Sequence, residues 1–376
     1  MNIKYCGPAK DYSGYGEAVR HDIGALVSAG IELTTEIPKY TMELSDFGLL
    51  GQKACELEDK KIDYRIKILH ITPNVYANYF EAGKYHIGRV FWETDKLPAE
   101  FANNVQMLDE IWTGSKFNEN AIRKAGVTKP IYIIPEAIDT NLNPDNIMPY
   151  AVTNNDTLKF YSMFEWTERK NPNALLTAFW TEFGKDENVS LTIKTYVDNF
   201  TKDKQTEIEN NIKMLRKRLN LVYYPPVYLF KELMDRHQIY RFHKTFDCFV
   251  STHRGEGWGI PQMEAMLMGR PVISTNIGGI HEYLTDKVTA LLLPNKLIPL
   301  TANTRNQQWY TRDQNWADIN IEDVRVVLRW VYNNQMKVKK IGEDGCKLVR
   351  EKFSLQAVGE LMKRRLLEIE EKINGT

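Results

Sequence analysis

The sequence predicts an α/β protein of two doubly wound, Rossmann-like parallel sheets facing each other across a cleft. Three observations predict it. In both halves of the 376 residues, short β-branched and aromatic runs alternate with amphipathic segments of helical spacing, the pattern of strand–helix crossovers. Residues 141–157 are rich in Asn, Pro and Asp without apolar periodicity, as expected of a connection between domains. Finally, a strand-like run, Phe246–Thr252, leads through a glycine turn into a helix, and ligands of such sheets bind at the strands' carboxyl ends. The expected division is 1–150, 151–353 and a terminal helix, 354–376.

In the first half, Ile3–Cys6 reads as a strand, followed by Gly7-Pro8 and the loop Tyr12-Ser-Gly-Tyr-Gly16. A helix is predicted from Glu17, with Val19, Ile23 and Leu26 on one face and Gly30 at its end. Ile66–Ile71 and Ile87–Trp92 are further strands. His70 and His86 flank them and read as locally satisfied residues. After the second strand come Trp92-Glu-Thr-Asp-Lys-Leu-Pro98 and Asp109-Glu-Ile-Trp-Thr-Gly-Ser115. Thr94 and Asp95 are good helix-capping types.

In the second half, Leu158–Met163 is a strand, and Phe164–Pro172 leads into a helix with Ala174, Leu175, Ala178 and Phe179 on one face. Val189–Tyr196 and Pro225–Phe230 are strands around an amphipathic helix carrying Ile208, Ile212, Leu215 and Leu219. The polar face of that helix, with Lys213 and Arg216–Arg218, reads as solvated rather than as a membrane patch. Thr275–Glu282 holds a second Gly-Gly turn and a helix start, with His281 on the helix surface. Leu291–Leu293 reads as the last strand and 301–320 as irregular. Ile321–Asn333 and Lys337–Lys352 read as helices. Ser354 caps a final helix with Leu355, Val358, Met362, Leu366, Ile369 and Ile373 on its apolar face.

The hydrophobic fraction of 43% and charged fraction of 26% are those of a globular protein with sizeable cores. Lys plus Arg equals Asp plus Glu at 49 each, so no net basic charge points to nucleic acid or an anionic surface. Four scattered cysteines without a CxxC pair argue against a disulfide framework or zinc cluster and fit a cytoplasmic protein. Neither a signal peptide nor an apolar membrane span is expected.

The stretch Arg254–Gly269 carries the chemistry. Gly255, Gly257 and Gly259 let bare backbone approach a ligand, Pro261 suits a first helical turn, and Gly269 ends the helix. Amides at a helix N-terminus suit phosphate, whereas Glu256 and Glu264 only accept hydrogen bonds and suit hydroxyl-rich neighbours. A nucleotide-sugar combines both.

This stretch resembles the signature of retaining, nucleotide-sugar-dependent glycosyltransferases of the GT-B fold, the family 4-like enzymes with Glu, seven residues and a second Glu. Glu256, Gly257, Gly259, Pro261, Glu264, Ala265, Met266, Gly269, Pro271, Val272 and Ile273 match it. The resemblance implies that Glu264 holds the ribose, that Glu256 faces the transferred sugar, and that Gly257, Trp258, Gly259 and Ile260 line the donor diphosphate. Lys170 matches the family's phosphate-binding Lys. The family's Arg is absent at Phe164 or Glu165, leaving Arg169 as the adjacent substitute. Phe230 and Lys231 fall where relatives bracket the nucleotide base. Gly14 and Gly16 fall in the loop that often closes over donor sugar or acceptor, or form a plain tight turn. Glu93 falls where many relatives carry a His, as an acceptor-orienting or acid–base group, or simply precedes a helix cap. Ile131–Asp139 is similar to the family's strand ending P-[HN]-G-V-D, with Glu136 and Ala137 departing from it. The implied final helix crosses back onto the first domain.

The resulting expectation is transfer of a sugar from a UDP- or GDP-sugar to a hydroxyl acceptor with retention, without cofactor or metal. The acceptor is left open among glycan, lipid-linked, small-molecule and modified-DNA-base hydroxyls. The rival readings are a DNA-base-modifying glycosyltransferase, a nucleotide-sugar epimerase and a catalytically silent binding or scaffold protein.

Overall fold

A computed structural model describes residues 1–38, 46–152, 157–197, 200–301 and 308–375. The chain forms two compact units. One comprises Met1–Leu142, Gln308–Gln314 and Val349–Thr376, the other Asn143–Gln307 and Asn315–Leu348. Parts of two expected irregular stretches, 153–156 and 302–307, lie outside the described residues.

The first unit runs β1 (Asn2–Cys6), α1 (Gly14–Ser28), β2 (Glu32–Glu36), α2 (Gly48–Glu56), β3 (Ile66–Leu69), β4 (Tyr85–Arg89), α3 (Ala99–Val105), β5 (Glu110–Thr113), α4 (Lys116–Lys124) and β6 (Ile131–Ile133). Its six strands are all parallel, in the order β2-β1-β3-β4-β5-β6. The two strands added at either side of β1 are the doubly wound pattern. Helix α1 begins three residues earlier than its apolar spacing indicates. Ser13 takes an extended conformation and its hydroxyl accepts from the Tyr15 amide, so Gly14 and Gly16 lie in the first helical turn rather than in a loop. β2 and α2 have no strong sequence signal: β2 is Glu-Leu-Thr-Thr-Glu, and Phe47 makes no side-chain cap for α2.

The second unit runs β7 (Leu158–Glu165), α5 (Pro172–Glu182), β8 (Val189–Tyr196), α6 (Lys202–Leu219), β9 (Val227–Phe230), α7 (Arg236–Thr245), β10 (Cys248–Ser251), α8 (Ile260–Leu267), β11 (Val272–Thr275) and β12 (Leu291–Leu293). Six parallel strands lie in the order β12-β11-β10-β7-β8-β9. Leu291–Leu293 is not the last strand. β13 (Asn295–Pro299) and β14 (Asn315–Ile319) pair antiparallel, so 301–320 ends in a strand. Between these strands, residues 308–314 join the first unit: Tyr310 stacks on Trp92 at 5.2 Å, and Thr94 donates to Gln314 at 2.8 Å. That bond corrects the capping expectation for Thr94, because α3 starts behind Pro98 without any side-chain cap. Asp95 pairs instead with Lys124.

Helices α9 (Ile321–Asn333) and α10 (Gln335–Lys352) precede α11 (Leu355–Asn374). Ser354 caps α11 by accepting from the Ala357 amide. Leu355, Val358, Met362, Leu366 and Ile369 then join Val19, Ile23 and Leu26 of α1 in the first unit's core. The C-terminal helix therefore packs on the N-terminal one. Among the described residues no helix is long and apolar enough to cross a membrane.

Gly359 sets the approach of α11 to α1. A Cβ there would fall inside contact distance of the Ala25 carbonyl, a backbone atom that cannot move alone. Gly359→Ala is expected to destabilise the protein by about 1–3 kcal/mol through this overpacking, whereas Gly375→Ala, with ordinary contact at Glu371, is expected to be neutral. Urea denaturation of the two variants side by side checks this.

Candidate functional site

The central strand β10 ends at Ser251, and the chain turns through residues 252–259 before entering α8. Of the three glycines in this turn only Gly259 takes a left-handed conformation, φ +96°. It is the α8 N-cap and supplies no side-chain cap, while Pro261 occupies the first turn as its fixed φ favours. The turn is braced from behind. Tyr283 donates to the Trp258 and Gly259 carbonyls, both at 2.8 Å, and the Gly279 amide donates to the Glu256 carbonyl at 3.1 Å. Gly278 and Gly279 approach this backbone so closely that a Cβ on either would overlap the Glu256 or Gly257 carbonyl. The second Gly-Gly pair is therefore a requirement of packing.

Glu256 is buried in this turn, 9% exposed. Its Oε2 pairs with Lys170 Nζ, and its Oε1 lies 3.9 Å from Arg169. Arg169 also donates to the Gly255 carbonyl at 3.0 Å. Both cations sit on a 3-10 turn, Glu168–Lys170, that follows β7, and the Arg254 amide donates to the Arg169 carbonyl at 2.6 Å. Burial opposes ionisation of Glu256, but Lys170 and Arg169 outweigh it and hold the pKa of the carboxyl at about 2. Thus three residues expected in the site, Glu256, Lys170 and Arg169, meet in one cluster. His253 is neutral. Its Nε2 faces the Ile277 carbonyl at 3.1 Å, and burial lowers its pKa to about 4.

Glu264, on α8, is also buried and has different partners. Arg236, the first residue of α7, pairs with Oε1, and His243 of the same helix meets Oε2 at 3.3 Å. His243 Nδ1 faces the Tyr161 hydroxyl at 2.9 Å. Because a carboxylate only accepts, Nε2 carries the proton and Nδ1 accepts from Tyr161. The sequence reading missed Arg236, His243 and Tyr161 because it placed no helix at 236–245. The readable sign was the capping box of Asp235 and Gln238. It also missed Lys194, a buried lysine of β8 opposite Met163 and Phe230. Its ammonium lies over the Tyr196 and Phe200 rings at 5.2 and 4.8 Å, and burial lowers its pKa to about 8.

Other expected residues are placed as follows. Phe164 packs in the apolar core, so no charge stands there. Phe230 meets Phe242 edge-on, and Lys231 pairs with Glu209. Trp258 is buried against Tyr283, and Ile260 opens α8. In the first unit Glu93 is half-buried and accepts from the Tyr310 hydroxyl at 3.2 Å. Gly16 is buried against the Asp11 carbonyl, and Gly14 is exposed. His86 Nε2 accepts from the Glu81 amide at 3.0 Å, while its Nδ1 is buried without a hydrogen-bond partner among the described residues, so the expectation of a locally satisfied residue holds for one nitrogen only. His281 is exposed and bonded to Asn276.

Two parallel doubly wound sheets with a C-terminal helix returned onto α1 define the GT-B class of fold, and solved structures agree. Over 99% of the chain and 100% of the other, it superposes on sucrose-phosphate synthase of Thermosynechococcus elongatus with a TM-score of 0.70 at 15% identity. Anabaena Alr3699/HepE, solved with UDP and glucose, gives 0.67 at 14% over 98% and 100%. Residues 150–303 match the family described as glycosyl transferases group 1. Over those residues the chain is similar to group 1 glycosyltransferases. Among curated relatives, an uncharacterized glycosyltransferase of Sulfolobus islandicus rod-shaped virus 1 is 23% identical over 64% of this chain and 69% of its own. The alpha-1,3/1,6-mannosyltransferase ALG2 of Rhizomucor pusillus is 29% identical over 32% of this chain and 21% of its own.

The depressed Glu256 pKa has a consequence for stability. A carboxyl held at about 2 rather than its ordinary 4.5 stabilises the fold fully above pH 4.5, and that contribution is lost as pH falls towards 2. The loss amounts to roughly 3 kcal/mol. Unfolding free energies measured across this range are expected to fall less steeply with acid in Glu256→Gln than in the wild type.

Proposed function

We propose that the chain is a group 1 glycosyltransferase that takes a UDP- or GDP-sugar, binds it at the turn before α8, and transfers the sugar to a hydroxyl with retention of configuration. The observation that carries the reading is the pairing of buried Glu256 with the half-buried Lys170 and Arg169 at the carboxyl end of the second unit's sheet. Two cations and the amides at the start of α8 suit a diphosphate, and the two buried carboxylates suit hydroxyls. Glu256 accepts hydrogen bonds from the transferred sugar and orients its anomeric carbon. Glu264 accepts from the ribose hydroxyls, with His243 and Tyr161 fixing its direction. In the first unit, Gly14, Gly16 and Glu93 contribute to binding the acceptor.

In the reaction, the bond between the anomeric carbon and the diphosphate oxygen breaks, and its electron pair leaves with the diphosphate. Lys170 and Arg169 stabilise that growing charge. The acceptor oxygen bonds the anomeric carbon from the same face, and its proton passes to the departing diphosphate oxygen. The HepE structures with UDP and with UDP-glucose support a uridine donor by analogy.

Thermal-shift screening against UDP-, GDP- and ADP-sugars tests the donor class, with stabilisation by one of the first two expected. With that donor, Glu256→Gln is expected to lower kcat more than it raises the donor KM, and Glu264→Ala chiefly to raise the donor KM. Equal small effects from both would contradict the assigned roles. No stabilisation by any nucleotide-sugar would favour the silent-scaffold reading.

A further inference from the structure

His70 follows β3 at the carboxyl end of the first unit's sheet and is wholly buried. Its Nδ1 lies 2.7 Å from the Tyr5 hydroxyl oxygen, which itself lies 2.9 Å from Asp22 Oδ2. Arg89 grips Asp22 through Nε at 2.7 Å and Nη2 at 3.2 Å. A carboxylate so paired has no proton to give. Tyr5 has one proton, and only its donation to Asp22 avoids setting two lone pairs against each other. The Tyr5 oxygen must then accept from His70 Nδ1–H. Burial, more than the opposing Asp22 charge, lowers the His70 pKa to about 3, so the ring is neutral and holds one proton.

That proton is on Nδ1, which leaves Nε2 as a bare acceptor. Nε2 is buried with no hydrogen-bond partner among the described residues. Buried polar atoms in folded proteins are normally satisfied. The ring lies between two half-buried aromatic side chains, Tyr15 of the first turn of α1, edge-on at 5.0 Å, and Phe91, stacked at 6.0 Å. Both are near the strands' carboxyl edge, where such sheets bind ligands.

We propose that His70 Nε2 accepts a hydrogen bond from a hydroxyl of the sugar or polyol acceptor, reached past the rings of Tyr15 and Phe91. This rests on the transferase reading above and adds to it the group that orients the acceptor. His70 is not the base. An imidazole with a pKa near 3 takes no proton at neutral pH, so the acceptor's proton still leaves with the diphosphate. The Asp22–Arg89–Tyr5 chain locks the tautomer that keeps the lone pair available.

Nitrogen-15 NMR of histidine-labelled protein tests the tautomer directly. The ligand-free protein is expected to show a protonated Nδ1 and an unprotonated Nε2 for His70. A proton on Nε2 would overturn the inference. Transfer assays then test the role, with glycerol and glucose as first acceptor probes. His70→Phe is expected to raise the acceptor KM roughly tenfold with the donor KM unchanged, as loss of one hydrogen bond does. His70→Gln, which can offer an acceptor oxygen, is expected to recover most of that loss. If the wild type transfers normally while the Phe variant leaves acceptor KM unchanged, or shifts both KM values alike, this inference fails alone. A wild type that transfers to no hydroxyl overturns the reading on which it rests. Should the Phe variant not fold, the tautomer measurement still decides.

Discussion

A buried carboxylate cannot stay ionised without a cation beside it, and the pairing of Glu256 with Lys170 is the contact on which this site depends. Glu256 sits in the turn after the central strand of its sheet, and Lys170 in the turn after the neighbouring strand β7. The pair therefore ties two adjacent strand ends together. Burial would push the Glu256 carboxyl up, and the two cations reverse that shift. The backbone is arranged to keep the pair in place: Arg254 bonds back to Arg169, and the Gly278–Gly279 turn presses on the Glu256 carbonyl. Side chains on those glycines would displace the turn and the carboxylate with it.

The two glutamates of the motif share a residue type but not an environment. Glu256 faces cations from the strand-end turn, whereas Glu264 faces Arg236 and His243 from α7. Each acceptor oxygen thus faces a positive or donating partner. In the proposed reading a nucleotide-sugar substitutes for the cationic partners while His243 stays on Glu264: its hydroxyls replace the cations at the carboxylates, and its phosphates receive the cations. Binding then exchanges one set of charge-assisted bonds for another rather than opening unpaired charges, which would be far more costly.

What could be read in the sequence was what local chemistry determines. The alternation of Val189–Tyr196 with the amphipathic spacing of Ile208, Leu215 and Leu219 marks a strand and a helix whatever surrounds them. Pro261, Gly259 and Gly269 likewise mark the limits of α8, because each has a backbone preference of its own. Ser354 marks the start of α11 for the same reason. The pairing of Lys170 with Glu256, 86 positions apart, could not be derived from spacing. The resemblance placed Lys170 at the phosphates and Glu256 at the sugar, and only the fold pairs them with each other. β2, a short strand with a glutamate at each end, and α7, with its mixed polar pattern, were lost because their stability comes from tertiary packing rather than propensity. With α7 went Arg236 and His243. His70 was read as satisfied, and only the arrangement of Tyr5, Asp22 and Arg89 around it shows that one nitrogen is not.

The central claim is that Lys170 leaves Glu256 to take up the phosphates of the donor. Titration calorimetry with UDP or GDP, whichever the wild type binds, and with the corresponding nucleoside, on wild type and Lys170→Met, tests it most directly. The account expects the variant to lose at least tenfold in affinity for the diphosphate, as removal of a charged hydrogen bond does, and to bind the nucleoside as the wild type does. A variant that binds the diphosphate with wild-type affinity would contradict it.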